Sequence, residues 1–293
     1  MGLKKILSSA TFSVVALVAV SYSGGGSKDD DTFSDFPDDQ VLANVVSIVT
    51  ARSATDTVFT FDGKKVEILQ VARIFPTEHS DVFFSIRVFP LKGESPVNTG
   101  LARMISEDFS AVAGGDLHYD LHETTARAVT GQIDYYGKVF NDTIVPQLRE
   151  SVVNGFYVNV DLRPVWVSAD NDIYTYSSYQ ESGTGGGPVE ISCYYASFSN
   201  KLGRRMTFED LVPEADRHAV RVELLGQMAR HTGKTVGQYL EWLTDYVNPE
   251  AECPFTVSDF PIVHVASYKS RLVFSYPQGT VAPAYEGCPL YFI

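Results

Sequence analysis

Positive charge is scarce in this sequence. Its 293 residues carry 23 Lys and Arg against 36 Asp and Glu, a formal net charge of −13. Phosphate backbones need clustered cations, so nucleic acid is excluded as a partner, and docking on an anionic lipid surface is disfavoured on the same ground. Cysteine is nearly absent: Cys193, Cys253 and Cys288 are the three. An odd count allows one internal pair at most. Cys253 with Cys288, both C-terminal, is the pairing expected, and Cys193, in the apolar "EISCYYASF", reads as a buried free thiol. Catalytic signatures are missing as well. There is no G-x-S-x-G and no recognisable Cys–His arrangement, and the glycines of Gly183–Gly187 lead into Pro188 and a strand rather than into a helix with Lys-Ser/Thr. No cofactor is therefore expected, and binding is a better reading than catalysis.

One apolar run stands out, at the start. "MGLKKILSSATFSVVALVAV" opens with Lys4 and Lys5, and the run from Ala10 to Val20 is roughly a dozen residues, short of the ~20 that cross a bilayer as a permanent helix. Residues 1–23 read as a signal peptide and residues 24–40 as an acidic linker, "KDDDTFSDFPDD", whose like charges keep it extended. Ser27-Lys28-Asp29-Asp30-Asp31 resembles the tail of a Bacteroidetes lipoprotein, where a lipidated cysteine precedes such a stretch. Gly24, Gly25 and Gly26 stand where that thiol belongs, so a membrane link of this kind lacks its anchoring residue. The expectation is an exported chain, in the periplasm, at the outer-membrane surface or secreted.

The remainder, roughly 250 residues, is long enough for a substantial core. Apolar residues make up 44% and aromatics 12%, a globular composition. "DTVFTFDGKKVEILQVARIF" and "DVFFSIRVFPL" predict strands between Val41 and Pro90, with Asp62-Gly63 as a hairpin turn. "SPVNTGLARMISEDFSAV" predicts a short helix ended by Gly114-Gly115. From Glu123, apolar residues at Val129, Ile133, Tyr136, Phe140, Ile144 and Leu148 follow the helical period, and Pro146 predicts a kink near Asn141–Thr143. Strands follow in "GFYVNVDLRPVWVSADNDIYTYSSYQ", around an Ala169–Asp172 turn, and in "PVEISCYYASFSN". Thr207 with Asp210 forms a capping-box pattern. Helices are predicted over Asp216–Arg230 and Val236–Tyr246, then strands to the end, broken at Tyr268-Lys269-Ser270 and Pro277–Gly279. The order carries no β-α-β alternation and no repeat. It predicts an α+β fold of mostly antiparallel sheets with helices on one face, in two tightly associated subdomains, 41–165 and 166–293.

Three pieces of the C-terminal half then stand in a recognisable order: "YTYSSYQESGTGGGP", "NKLGRRMTFEDLVP" and "FSYPQGTVAPAYEGCPLYFI". Together they resemble the exported domain of unknown function 3298, over Ile173 to Ile293. Leu202-Gly203-Arg204, Thr207–Leu211, Phe274-Ser275-Tyr276 and Ala282–Gly287 occupy the family's motif positions. The family's histidine after Gly-Gly is replaced, because Pro188 and Val189 follow Gly186-Gly187. The resemblance implies a cell-envelope protein, similar to the sensing domains of lysozyme-responsive anti-sigma factors and to domains beside peptidoglycan deacetylases. Its implied partner is a cell-wall glycan or a secreted protein such as lysozyme. A cell-wall glycan hydrolase or deacetylase and an envelope assembly subunit are the alternatives.

Two clusters carry candidate chemistry. Tyr174, Tyr176, Tyr179, Tyr195 and Trp166 crowd neighbouring strands, and rings with flat apolar faces and polar tips suit a sugar or a protein surface. Cross-strand packing is the competing use of such rings. His118, Asp120 and His122 in "GGDLHYDLHE" are the candidate metal ligands, since two imidazoles and a carboxylate on one face suit zinc. They lack the glutamate of H-E-x-x-H, and no metal is assigned to them.

Overall fold

Asp62 and Gly63 both adopt positive φ, 46° and 80°. That backbone forms a two-residue hairpin turn whose twist matches its flanking strands. It joins β1 (Ser53–Phe61) to β2 (Lys64–Pro76), paired antiparallel from Phe61↔Lys64 outward. The computed structural model describes residues 53–77, 82–113, 123–148, 155–184, 189–247, 253–282 and 287–293. The expected leader and linker and the trio His118, Asp120 and His122 lie outside these residues.

β2 pairs antiparallel with β3 (Val82–Val88), and β3 pairs parallel with β4 (Phe156–Val167). A parallel pair requires a crossover, and two helices supply it. They are α1 (Pro96–Ala113) and α2 (Ala126–Val139). The sequence reading of no β-α-β alternation is corrected here: one helical crossover sits inside an otherwise antiparallel sheet. The signal was hidden because two helices, not one, separate the paired strands. Asn98 pins the entry to α1, its buried amide bonding both Leu91 N and Leu91 O at 2.9 and 2.8 Å.

α2 runs into a wider π turn, Phe140–Ile144, before one last α turn, Val145–Leu148. Pro146 has no amide to donate and crowds the turn before it, and the Val145 N–H bonds Phe140 O, five residues back. The kink predicted near Asn141–Thr143 falls inside this turn. α2 docks closely on β2. A Cβ added to Gly137 would lie 2.1 Å from the Phe75 ring. Gly137→Ala is therefore expected to destabilise the protein by about 1–3 kcal/mol, although alanine is the better helix former. A denaturant titration reads this, and an unchanged or raised midpoint would refute the close docking.

Beyond β4 the sheet continues antiparallel through β5 (Ile173–Thr184), β6 (Val189–Ser199) and the short β7 (Arg204–Arg205). All seven strands lie in chain order. β4 thus runs across the boundary expected at 165/166. The first hydrophobic core extends from Ile68 to Phe198 and the second begins at Phe208. The change of core falls between these two phenylalanines, after the Gly203 turn (φ 65°).

The second core is built from α3 (Phe208–Leu211), α4 (Arg217–His231), α5 (Val236–Val247) and a three-stranded antiparallel sheet. That sheet contains β8 (His264–Tyr268), β9 (Arg271–Ser275) and β10 (Leu290–Phe292). The Asp210 carboxylate reaches back to the Thr207 amide at 2.8 Å, closing the capping box, and Arg204 grips the same carboxylate at 2.6 and 2.8 Å. Arg204 is the first cause holding the Asp210 carboxyl down at about 2. No helix among the described residues is long and apolar enough to cross a membrane. The architecture is α+β, with mostly antiparallel sheets.

Candidate functional site

The register of the large sheet sorts its side chains into two faces. Val160, Leu162, Tyr174, Tyr176, Tyr194, Ala196 and Phe198 point to the face covered by α1 and α2, and all are buried. Two of the expected ligand-binding rings are therefore core. Tyr176 is fully buried, its hydroxyl donates to Phe89 O at 2.8 Å, and its ring meets Phe198 edge-on at 5.8 Å. Tyr174 is 8% exposed. The two share a face, as period two predicts, but it is the face the helices close. Tyr176 offers no ring surface to a ligand and Tyr174 almost none, so neither is a ligand contact.

The opposite face holds the other three. Tyr179 pairs with Cys193 and Asp161, Tyr195 with Ser177, and Trp166 with Thr175. Trp166 reaches this face through the register shift between Pro164 and Trp166. All three rings are half-buried. Part of the face is closed by the small sheet. Thr175 donates to Ser267 O, the Ser267 amide donates to Ser197 Oγ at 2.9 Å, and the Tyr195 amide donates to Ser275 Oγ at 3.1 Å. The rest forms a shelf of rings and ion pairs.

Two carboxylates organise the shelf. Glu181 accepts from the Tyr157 hydroxyl at 2.8 Å and from the Tyr179 hydroxyl at 3.3 Å. Burial and the nearby Glu181 charge push the Tyr179 hydroxyl up to about 12, so it stays a donor. Asp161 accepts from Arg163 Nε at 2.6 Å and from Arg87 Nε at 2.6 Å. Phe83 stacks on Tyr157 at 5.9 Å and extends the apolar surface. Sequence reasoning missed Tyr157, Asp161, Arg163 and Glu181. The signal for the first three was present in "FYVNVDLRPVW", where Tyr157, Asn159, Asp161 and Arg163 alternate with Phe156, Val158, Val160 and Leu162.

A cleft of about 590 Å³ opens between α1, the β7–α3 turn and residues 258–265. Arg103, Arg204, Arg205 and Arg221 line it. Each is already engaged: Arg103 with Glu107, Arg204 with Asp210, Arg205 with His264, and Arg221 with Phe260 O. Glu107 and Asp210 offset two of these charges, while Arg205 and Arg221 brace the walls through neutral acceptors.

Behind the cleft lies a polar cluster built around the buried Tyr194, with Asp108, Arg205 and His264 half-buried beside it. The Tyr194 hydroxyl donates to Asp108 Oδ2, and its ring stacks on His264 at 4.2 Å. Arg205 donates to His264 Nδ1 at 2.6 Å and lies 5.4 Å above the Tyr194 ring. Because guanidinium only donates, Nδ1 must accept, and the His264 proton sits on Nε2. Burial, then the Arg205 charge, pull the His264 imidazole down to about 3. Burial pushes the Asp108 carboxyl up to about 6, against the Tyr194 hydrogen bond and the Arg205 charge.

Cys193, Cys253 and Cys288 are all free thiols, so the expected Cys253–Cys288 pair is not formed in the structure. The Cys288 sulfur instead lies against β6, donating to Ile191 O at 3.0 Å. Among the described residues no group of three or more His, Cys, Asp or Glu side chains could hold a metal ion.

No family model matches the chain, and no curated protein matches it. Among solved structures, one that is similar is a member of the DUF3298 family from Bacteroides fragilis. Its TM-score is 0.48 at 13% identity, covering 83% of this chain and 88% of that one. Another is a DUF3298 family protein from Pseudomonas aeruginosa, with a TM-score of 0.44 at 11% identity, covering 82% of this chain and 89% of that one. Both structural neighbours carry the family name of the domain that the C-terminal motifs resemble.

Proposed function

We propose that this chain is a non-enzymatic cell-envelope protein that binds a cell-wall glycan on the open face of its large sheet. The observation that supports this reading is the shelf itself. Trp166, Tyr179 and Tyr195 are half-buried along this face, and Tyr179 lies beside the Glu181 and Asp161 clusters. Such rings offer flat apolar surfaces to the C–H faces of sugar rings, and the Tyr179 ring is held in place by its hydroxyl's bond to Glu181. Fixed carboxylate and guanidinium groups beside them match hydroxyl and amide groups with both donors and acceptors. Carboxylates placed for hydrolysis would instead need one held as an acid beside a water site. Here Asp161 and Glu181 already accept from two residues each, an arrangement that orients neighbours.

Calorimetric titration of the chain with soluble peptidoglycan fragments tests the reading. Binding is expected, weakened at least about tenfold by Trp166→Ala, Tyr179→Ala or Tyr195→Ala, and unchanged by Tyr176→Phe. No heat with any fragment, or binding that survives all three ring deletions, would end it. Capture of lysozyme on the same face, without fragment binding, would replace the glycan with a protein partner. Fragment turnover that depends on Asp161 or Glu181 would make the chain a hydrolase.

A further inference from the structure

The three thiols are not equivalent. Cys193 lies within β6, paired with Tyr179, on the face toward the small sheet. β6 pairs with β7 only at Phe198 and Ser199, so the rest of that edge is not paired by β7. The small sheet and the chain leading into β10 lie along it. Tyr195 N–H donates to Ser275 Oγ, and four residues earlier along the same strand the Cys288 thiol donates to Ile191 O at 3.0 Å. Residues 191, 193 and 195 direct their backbone groups to one side of the strand, so the Cys288 sulfur lies beside the backbone of Cys193. The two sulfurs sense each other's charge, and the Cys193 amide offsets part of the burial that pushes the Cys288 thiol up. Cys253 stands in another place, exposed, two residues before Phe255, whose amide is held by Thr244 of α5.

We infer that Cys193 and Cys288 are the disulfide-forming pair of this protein, and that their bond fastens the segment leading into β10 onto the edge of β6. This inference rests on geometry and not on the glycan reading above. The oxidant is a disulfide, small-molecule or protein, of the kind found outside the reducing cytosol. One cysteine thiolate attacks a sulfur of that disulfide and expels a thiolate. The second cysteine, as thiolate, attacks the mixed disulfide and expels the other. In sum the two protein thiols give up two protons and two electrons, and the oxidant leaves as two thiols. Burial and the neighbouring sulfur push the Cys193 thiol up to about 11, so the exchange quickens as pH rises. The bond closes a loop of about 95 residues, and its formation is expected to raise Tm by about 5 °C or more.

The experiment incubates the full chain with oxidised glutathione at pH 8.5, counts free thiols with a chromogenic disulfide reagent in denaturant, and maps unreduced peptides by mass spectrometry. The expected result is a fall from three thiols to one, with a peptide joining Cys193 to Cys288. Cys253→Ser should fall from two thiols to none, and Cys193→Ser should retain both of its thiols or carry glutathione. Three persistent thiols, glutathione adducts without an internal link, or a link that includes Cys253 would each overturn the inference. Cys193→Ala with Cys288→Ala, read for Tm with and without oxidant, separates loss of the bond from loss of packing. Only the parent chain should gain stability on oxidation.

Discussion

Asp108→Asn and His264→Gln are expected to shift the pH dependence of stability in opposite directions between pH 7 and pH 4. The two groups sit on either side of Tyr194, one bonded to its hydroxyl and one stacked on its ring. His264 is held down at about 3, below the 6.5 of a free imidazole. A base depressed by folding stabilises the native state above its unfolded pKa, and that contribution is lost as pH falls toward the folded value. By pH 4 the loss is about 2–3 kcal/mol, taken at the low end because the ring keeps some solvent contact. Asp108 is held up at about 6, above the usual 3.8 of an aspartate. An acid raised by folding is most favourable below its unfolded pKa and loses that advantage as pH climbs through 6. Acidification to pH 4 therefore recovers about 2–3 kcal/mol from Asp108. In the parent chain the two terms largely cancel. Relative to the parent, Asp108→Asn should lose about 2–3 kcal/mol as pH is lowered from 7 to 4, and His264→Gln should gain about the same. Chemical denaturation of the three chains at pH 7, 5.5 and 4 reads the differences directly, since all other carboxylates titrate in common. Variants that track the parent in parallel would show that neither group is shifted by its burial.

Replacing Tyr176 is expected to damage the fold and leave ligand recognition alone. Tyr176→Ala removes a fully buried ring from the interface of the large sheet with its helices and should cost about 3–5 kcal/mol. Tyr176→Phe keeps the ring but leaves Phe89 O without its 2.8 Å donor, a loss of about 1–3 kcal/mol. Tyr179→Ala and Tyr195→Ala, on the half-buried face, should cost about 1 kcal/mol each and carry the binding defect. Urea unfolding of these four variants divides the tyrosines between structure and recognition. If Tyr176→Ala unfolds at the parent midpoint, the assignment of that face to the core is wrong.

Local order was legible from the residues. Asp62-Gly63 named its turn, because few residue pairs tolerate two positive φ values in succession. Pro146 located the irregular turn of α2, because a missing amide breaks the helix ladder whatever surrounds it. Thr207 and Asp210 announced the start of α3, since their bonds lie within one turn. The crossover between β3 and β4 was not legible, because strand direction is set by pairing partners that lie 74 residues apart, as in Arg87 with Asp161. The division of the tyrosines was half legible. Alternation placed Tyr174 with Tyr176 on one face, but which face the helices cover depends on the docking of α2 through Gly137 and Phe75.

What the sequence determined by itself was therefore the set of elements and the two-sidedness of each strand, since propensity, turn chemistry and period act over a few neighbouring residues. Only the tertiary structure decided which side became core, which rings stayed open, and that Cys288 lies against β6 rather than bonding to Cys253. Those outcomes depend on residues far apart in the chain, and the free energy that places them comes from burial between whole layers, which no local pattern records.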